Sequence, residues 1–123
     1  MKTHESEETY LETILILSQN ENQVRSVDIA NELEYSRPSV SVAMKNLRES
    51  GYISVDDDGY ITLTENGREI AESMYERHTL ISDWLIFLGV DKKNAVNDAC
   101  KIEHALSEQS FTAIKNHIIK NKT

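Results

Sequence analysis

A thiol, a carboxylate and an imidazole lie within five residues of one another in the segment from Ala95 to Ser107. They belong to Cys100, Glu103 and His104. On an α-helix, residues three and four positions apart share a face, so these side chains project within an arc of roughly 100°. Each is a common ligand of a divalent transition metal. The pattern predicts a metal site, although it also fits a small buried cysteine beside a surface Glu–His pair.

Apolar residues in the same segment indicate how the ligands are positioned. Ala95, Ala99, Ile102 and Leu106 recur at helical spacing on a neighbouring arc, which predicts a core face beside the ligand face. Three ligands from one helix rarely complete a coordination sphere. Further ligands are therefore expected from elsewhere in the chain.

Length and composition describe an ordinary globular protein. The 123 residues are 39% hydrophobic and 28% charged, which fits one compact unit or two small subdomains. The single cysteine cannot form an internal disulfide, as expected in a reducing compartment. No apolar run follows Met1, and no stretch approaches the ~20 apolar residues of a membrane span. We expect a cytoplasmic protein with no membrane partner.

The net charge of −8 counts against nucleic-acid binding, but the local distribution of charge matters more for binding than the overall charge. Arg37, Lys45 and Arg48 lie in one short predicted helix whose only acidic residue is Glu49. A protein with this balance is expected to bind DNA weakly unless a second factor promotes binding.

Two short amphipathic helices are predicted in the first half of the chain. Ser26 is expected to cap the first, and a three-residue turn, 34–36, leads to the second. The second helix begins near Arg37 and Pro38, since proline is favoured in a first helical turn. Two such helices joined by so short a turn are typical of a helix-turn-helix.

A β-hairpin is predicted directly after these helices. The β-branched and aromatic runs 52–55 and 60–63 flank Asp56, Asp57, Asp58 and a glycine, and Asp-Gly between two such runs favours a hairpin. A helix-turn-helix followed by a hairpin is a winged helix. The three aspartates would repel phosphate, so the wing tip is expected to stay away from a DNA backbone.

The rest of the chain is predicted to be helical. The residues expected to begin helices elsewhere are Ser6, Thr64, Asp91 and either Ser107 or Ser110. The helix after Thr64 spans roughly 25 residues and ends before Gly89. The predicted fold is thus mainly α, with an N-terminal winged helix-turn-helix and a two-stranded wing followed by an all-helical domain.

The C-terminal helices carry more apolar surface than they can bury among themselves. A two-fold homodimer would cover the remainder. The alternative is that these helices pack onto the winged helix.

The second helix of the motif is the predicted DNA-recognition element, because such a helix lies in the major groove. Its outward-facing residues are Arg37, Pro38, Ser39, Ser41, Val42 and Lys45. Arg37 can bind a guanine, the two serines can bind phosphates or bases, and Val42 can contact a thymine methyl. The alternative is a helix-turn-helix that serves only as a packing unit.

Four motifs together resemble one protein family. They are E-T-Y-L-E-T-I at Glu8–Ile14, Y-E-R-H at Tyr75–His78, G-V-D at Gly89–Asp91 and D-A-C-K-I-E-H at Asp98–His104. Their order and spacing resemble the diphtheria toxin repressor/manganese transport regulator (DtxR/MntR) family of metal-activated repressors, over essentially residues 6–110.

The resemblance implies a homodimer that binds operator DNA when metal is bound and shuts off metal-uptake genes. It implies a winged-helix DNA-binding domain over residues 1–65 and a helical metal-binding and dimerisation domain over 66–123. The extra SH3-like domain of iron-type members is expected to be absent, as in the manganese branch.

The resemblance also assigns roles to individual residues. Cys100, Glu103 and His104 match metal ligands, His78 matches a ligand of a neighbouring second site, and Glu12 matches a first-helix carboxylate ligand. The positions that match DNA contacts of the family are Ser36, Pro38, Ser39, Ser41 and Val42.

The chain departs from the family at three metal-site positions. Thr9 stands where the first helix carries Met or Asp, so water, a backbone carbonyl, Glu8 or Glu12 is expected to replace that ligand. Val96 and Ser82 stand where iron-type members have ancillary-site ligands, which weakens the expectation of a complete second site.

The donor set predicts the metal. Carboxylate-rich sites suit Mn²⁺, whereas a thiolate shifts preference toward Fe²⁺ and later metals. Cys100 stands where manganese-type members carry Glu, so Fe²⁺ is favoured and Mn²⁺ is the alternative. Other divalent transition metals, such as Co²⁺, Ni²⁺ and Zn²⁺, are expected to bind at least as tightly in vitro.

The expected mechanism is a linkage in which one ion takes ligands from the first and fifth predicted helices and so sets the spacing of two DNA-binding units.

One alternative is a winged-helix regulator that responds to a non-metal signal. Another is a metalloenzyme, but no separate general base and no glycine-rich substrate loop is recognisable. We therefore predict neither enzymatic activity nor a small-molecule substrate.

Overall fold

The computed structural model describes residues 5–20 and 23–121, which form six helices and one two-stranded antiparallel sheet. The elements are α1 (Glu5–Asn20), α2 (Ser26–Leu33), α3 (Arg37–Glu49), β1 (Ile53–Val55), β2 (Ile61–Leu63), α4 (Glu65–Phe87), α5 (Lys92–Ala105) and α6 (Glu108–Lys120). The predicted fold class is confirmed. The chain divides into two compact units, one up to Ser73 and one from Met74 onward. Within the described ranges, no helix is both long and apolar enough to cross a membrane.

The helix-turn-helix forms where it was predicted. Residues 34–36 separate α2 from α3, and Pro38 lies in the first turn of α3. Ser36 is the N-cap: its Oγ accepts a hydrogen bond from Ser39 N at 3.3 Å. That bond satisfies one of the backbone N–H groups that a helix start leaves without an intrahelical partner. The local sequence therefore sets both the turn and the start of the outer helix.

Two predicted helix caps were wrong. Arg25, not Ser26, is the N-cap of α2, and Arg25 N donates to Asp28 Oδ2 at 2.9 Å. The Asp28 carboxylate in the first turn thus reaches back to the backbone and moves the helix boundary by one residue. Ser6 is already helical within α1, whose first turn carries three glutamates that the helix dipole favours.

The wing is a short hairpin in which Ile53 pairs with Leu63. Asp56 Oδ1 accepts hydrogen bonds from Asp58 N and Tyr60 N, each at 2.9 Å. This carboxylate therefore stabilises the turn itself, as aspartates in turns commonly do. The side chains of the first unit's core come from α1, α2, α3, the wing and the start of α4, and the most deeply buried are Leu11, Ile14, Val24, Ile29, Val40 and Ala71.

A close backbone contact joins the wing to the start of α4. Thr64 Oγ1 donates to Gly51 O at 2.7 Å and accepts from Gly67 N at 3.2 Å. Thr64 therefore caps α4 as predicted. A Cβ atom at Gly67 would fall well inside contact distance of the Tyr52 carbonyl oxygen. Only glycine permits this approach.

The second unit contains the C-terminal part of α4, then α5 and α6. Gly89, with φ at +109°, follows the end of α4 in the left-handed region that glycine tolerates. Ser107 caps α6 by accepting from Ser110 N at 3.0 Å, which decides between the two predicted starts. Asp91 is the N-cap of α5, although its carboxylate accepts from the Asn94 side chain instead of the helix backbone. The buried apolar residues of this unit are Met74, Ile81, Ala95, Ala99, Phe111 and Ile118.

Candidate functional site

Three potential metal ligands meet in the second unit. His78 comes from α4, and Cys100 and Glu103 come from successive turns of α5. Their ligand atoms all lie within 4.8 Å of one another. Two donors bound to one ion at ~2.0–2.3 Å lie at most about 4.6 Å apart. Imidazole, thiolate and carboxylate are therefore placed so that small side-chain adjustments would fit them around one divalent transition metal.

Glu103 lies at the centre of this cluster and is fully buried, with 0% of its surface exposed. Its Oε1 is 3.5 Å from His104 Nε2, and its Oε2 is 3.9 Å from His78 Nδ1. A buried carboxylate is costly unless a cation or hydrogen-bond donors compensate it. Glu103 thus presents one oxygen to each of two imidazoles, on two sides of the same carboxylate.

The environment of His78 favours its metal-binding form. Burial lowers the pKa of His78 below its usual 6.5, and the smaller effect of the Asp83 carboxylate opposes this shift. The imidazole is therefore neutral at pH 7, and a neutral ring is what a metal requires. Its Nδ1 is buried and forms no hydrogen bond within residues 5–20 and 23–121.

The structure groups the predicted ligands differently from the sequence pattern. Periodicity alone places Cys100, Glu103 and His104 on one face, whereas the structure puts His78 with Cys100 and Glu103. His104 faces the other oxygen of Glu103. The position of His78 depends on how α4 packs against α5, which helical periodicity does not encode.

The other predicted metal-site positions differ in burial. Glu12 and Thr9 lie in α1 of the first unit, where Glu12 is buried and Thr9 is half-buried. Their role as ligands stays a prediction. Ser82 is buried and Val96 is half-buried, and neither side chain offers a strong metal ligand.

The outer face of α3 is exposed along its length. All seven predicted DNA-contacting residues are exposed, namely Ser36, Arg37, Pro38, Ser39, Ser41, Val42 and Lys45. Val40, Met44 and Leu47 are buried on the opposite face. Ser36 Oγ also donates to Ser39 Oγ at 2.8 Å, so these two hydroxyls bind each other at the helix start. The arrangement leaves a basic and hydroxyl-bearing face available to a nucleic acid.

An apolar groove of about 400 Å³ lies on the second unit, lined mainly by α4 and α6. Trp84 and Phe87 line it, and Phe87 is 80% exposed. Ile86 and Leu88 next to them are also exposed. A concentration of exposed apolar side chains marks an interaction surface.

Sequence reasoning missed one buried residue of this unit, Arg77. It is 5% exposed and contacts the end of α5. A signal was present, because position 77 continues the helical spacing of Ile70, Met74 and Ile81 on the apolar face of α4. A charged residue in such a stripe is rarely buried unless it is paired.

Two protein-family models match adjoining parts of the chain. The iron-dependent repressor N-terminal DNA-binding domain matches residues 2–61, and the iron-dependent repressor metal-binding and dimerisation domain matches residues 64–123.

Individual relatives match nearly the whole chain. An uncharacterised HTH-type transcriptional regulator of Methanocaldococcus jannaschii is 36% identical over 120 residues, which cover 96% of each chain. The HTH-type transcriptional regulator MntR of Lysinibacillus sphaericus is 33% identical over 109 residues, which cover 89% of this chain and 78% of that one. The solved structure of the manganese regulator SloR is similar with a TM-score of 0.81 at 26% identity. That match covers 96% of this chain and 54% of SloR, so the chain spans about half the length of that solved protein.

Proposed function

Since this chain belongs to the DtxR/MntR family of metal-dependent transcriptional repressors, we propose that it binds operator DNA as a homodimer when Fe²⁺ or Mn²⁺ is bound, and thereby controls genes of metal uptake. The observation that carries the proposal is the convergence of His78, Cys100 and Glu103 within 4.8 Å. The prediction that the protein is not an enzyme is confirmed, because the relatives are transcriptional regulators.

The proposed ligands from this unit are imidazole nitrogens of His78 and His104, the thiolate of Cys100 and the carboxylate of Glu103. His104 Nε2 lies 3.5 Å from the second oxygen of that carboxylate. A bound divalent cation would compensate the negative charge of the thiolate and the buried carboxylate. The thiolate favours Fe²⁺ over Mn²⁺. Mn²⁺ is the alternative ion, supported by the likeness to the manganese regulator SloR.

We also propose, on the strength of the family resemblance, that Glu12 contributes a ligand and that Thr9 or a group near it fills the remaining place. A ligand from α1 would link metal binding to the DNA-binding unit. An ion shifts that equilibrium only by its differential affinity for the DNA-competent state. A coupling of ~1–3 kcal/mol corresponds to roughly a 5- to 150-fold change in operator affinity.

The proposed DNA-binding element is α3, with its exposed residues in the major groove. The proposed dimer contact is the apolar groove of the second unit, where a second copy would cover Trp84 and Phe87. A symmetric dimer would present two α3 helices to successive grooves of one operator.

An anaerobic DNA-binding titration tests the proposal. Duplexes selected from a randomised library in the presence of Fe²⁺ serve as the probe, at one stated salt concentration because phosphate contacts make affinity salt-dependent. Fe²⁺ or Mn²⁺ is expected to raise DNA affinity about 5- to 150-fold, and a chelator to reverse the increase.

Variants then connect this effect to the site. Cys100→Ala, Glu103→Gln and Glu12→Gln are expected to reduce or abolish the metal effect. Asn97→Ala, at an exposed position of α5, is the matched control. DNA affinity that does not respond to metal would instead favour a winged-helix regulator of a non-metal signal.

A further inference from the structure

We infer that Arg77 is a positioning residue for the proposed metal site: its guanidinium holds the C-terminal end of α5 in place, and with it Glu103, beside the helix that carries His78. The inference rests on the proposed function. It concerns a side chain that binds no ion itself and acts through the backbone of a ligand residue.

The first observation is a cap on α5. Arg77 Nη1 donates hydrogen bonds to the backbone carbonyl oxygens of Glu103 at 3.0 Å and Leu106 at 2.6 Å. The last carbonyl groups of a helix have no intrahelical partner. Arg77 therefore supplies from α4 the donors that the end of α5 requires.

The second observation is that the same guanidinium also contacts α6. Nη2 donates to Glu108 Oε2 at 3.1 Å. The guanidinium carbon lies 5.1 Å from the centre of the Phe111 ring, within the range of a cation–π contact. Both partners belong to α6, so one planar group joins α4, α5 and α6.

The third observation is where the contact falls. Arg77 adjoins His78 in the chain, and it binds the backbone of the residue whose carboxylate lies 3.9 Å from His78. The guanidinium thus fixes the position of Glu103, a proposed ligand on α5, relative to His78, a proposed ligand on α4. Groups that orient ligands in this way typically change metal affinity ~10- to 100-fold when they are removed.

The test uses the full chain with Co²⁺ as the probe, because its visible absorption depends on coordination geometry. Arg77→Lys keeps the charge but lacks the planar fork in which Nη1 binds the two carbonyl groups while Nη2 binds Glu108. It is expected to bind Co²⁺ ~10- to 100-fold more weakly and with an altered absorption spectrum. Glu108→Gln replaces the charged partner of Arg77 with a neutral amide at a side chain that is 80% exposed, and a smaller loss in the same direction is expected.

Lys115→Met is the matched control. It breaks the 2.7 Å bond between Lys115 Nζ and Glu76 Oε2, which joins α4 to α6 without contacting α5. Its Co²⁺ affinity and spectrum are expected to equal those of the wild type. Thermal unfolding of each metal-free protein separates a loss of stability from a change at the site.

The outcomes are distinct. A weaker, spectrally altered site in a folded Arg77→Lys protein supports the inference, and Glu108→Gln decides it if Arg77→Lys does not fold. Wild-type affinity and spectrum in the folded variants would mean a purely structural role and would overturn it, whatever their stability. Absence of Co²⁺ binding by the wild type would overturn the proposed function and this inference together.

Discussion

At the proposed metal site, two side chains on α5 supply donors of different hardness. Glu103 is buried between two imidazoles, whereas Cys100 is exposed at the same cluster. The carboxylate suits hard ions and the thiolate suits softer ones. At the proposed site, position 100 would therefore determine much of the preference among metals.

Cys100→Glu is expected to shift metal preference toward Mn²⁺. Replacing the thiolate by a carboxylate removes the soft donor, so the ratio of Co²⁺ to Mn²⁺ affinity should fall roughly tenfold or more. Competition against a fluorescent chelator measures both affinities, with Asn97→Ala as the control on the same helix. An unchanged ratio would show that Cys100 does not bind the ion.

At the scale of the elements, the junction between the wing and α4 leaves no room for a side chain at Gly67. Gly67 is in the first turn of α4, and its backbone faces the Tyr52 carbonyl directly before β1. The hydrogen bonds of Thr64 fix the same junction. The wing therefore depends on a glycine that lies outside it.

Gly67→Ala is expected to lower the free energy of unfolding by about 1–3 kcal/mol, because the new methyl group collides with backbone that cannot move aside easily. Helix propensity alone would raise the free energy of unfolding of the alanine variant by ~1 kcal/mol. A decrease would therefore identify the steric collision as the cause. Urea denaturation measures it. Asn66→Ala, exposed one residue earlier, is expected to cause no loss.

At the scale of the whole molecule, net charge and exposed apolar surface both bear on DNA binding. A chain with a net charge of −8 is repelled, as a whole, by the negatively charged DNA backbone. Bound cations reduce that charge, and a symmetric dimer doubles the number of α3 helices that contact one duplex. The proposed switch thus depends on both metal and subunit association.

Phe87→Glu is expected to weaken the proposed dimer by about 2 kcal/mol or more, roughly 30-fold in dissociation constant, because it places a charge in the apolar groove. Sedimentation over a concentration series measures the association. Gln109→Glu adds the same charge at an exposed position of α6 that does not line the groove. If Phe87→Glu and Gln109→Glu have the same dimer dissociation constant, the dimer contact does not include the groove.

The sequence by itself determined the local elements of this protein. The turn at 34–36, the hairpin and the cap Thr64 were predicted, and Ser107 was one of the two predicted starts of α6. Each depends on hydrogen bonds and side-chain periodicity within a few residues, which neighbouring residue types encode directly. The error at Ser26 is also local: the Asp28 carboxylate accepts a hydrogen bond from Arg25 N, and Arg25 instead of Ser26 is the N-cap.

Only the tertiary structure decided which distant side chains lie next to one another. It placed His78 with Cys100 and Glu103, and it buried Arg77 against the end of α5. These contacts join residues more than twenty positions apart and depend on how one helix packs on another. Periodicity indicates the face on which a residue lies, but the register between two faces results from the fit of many side chains at once.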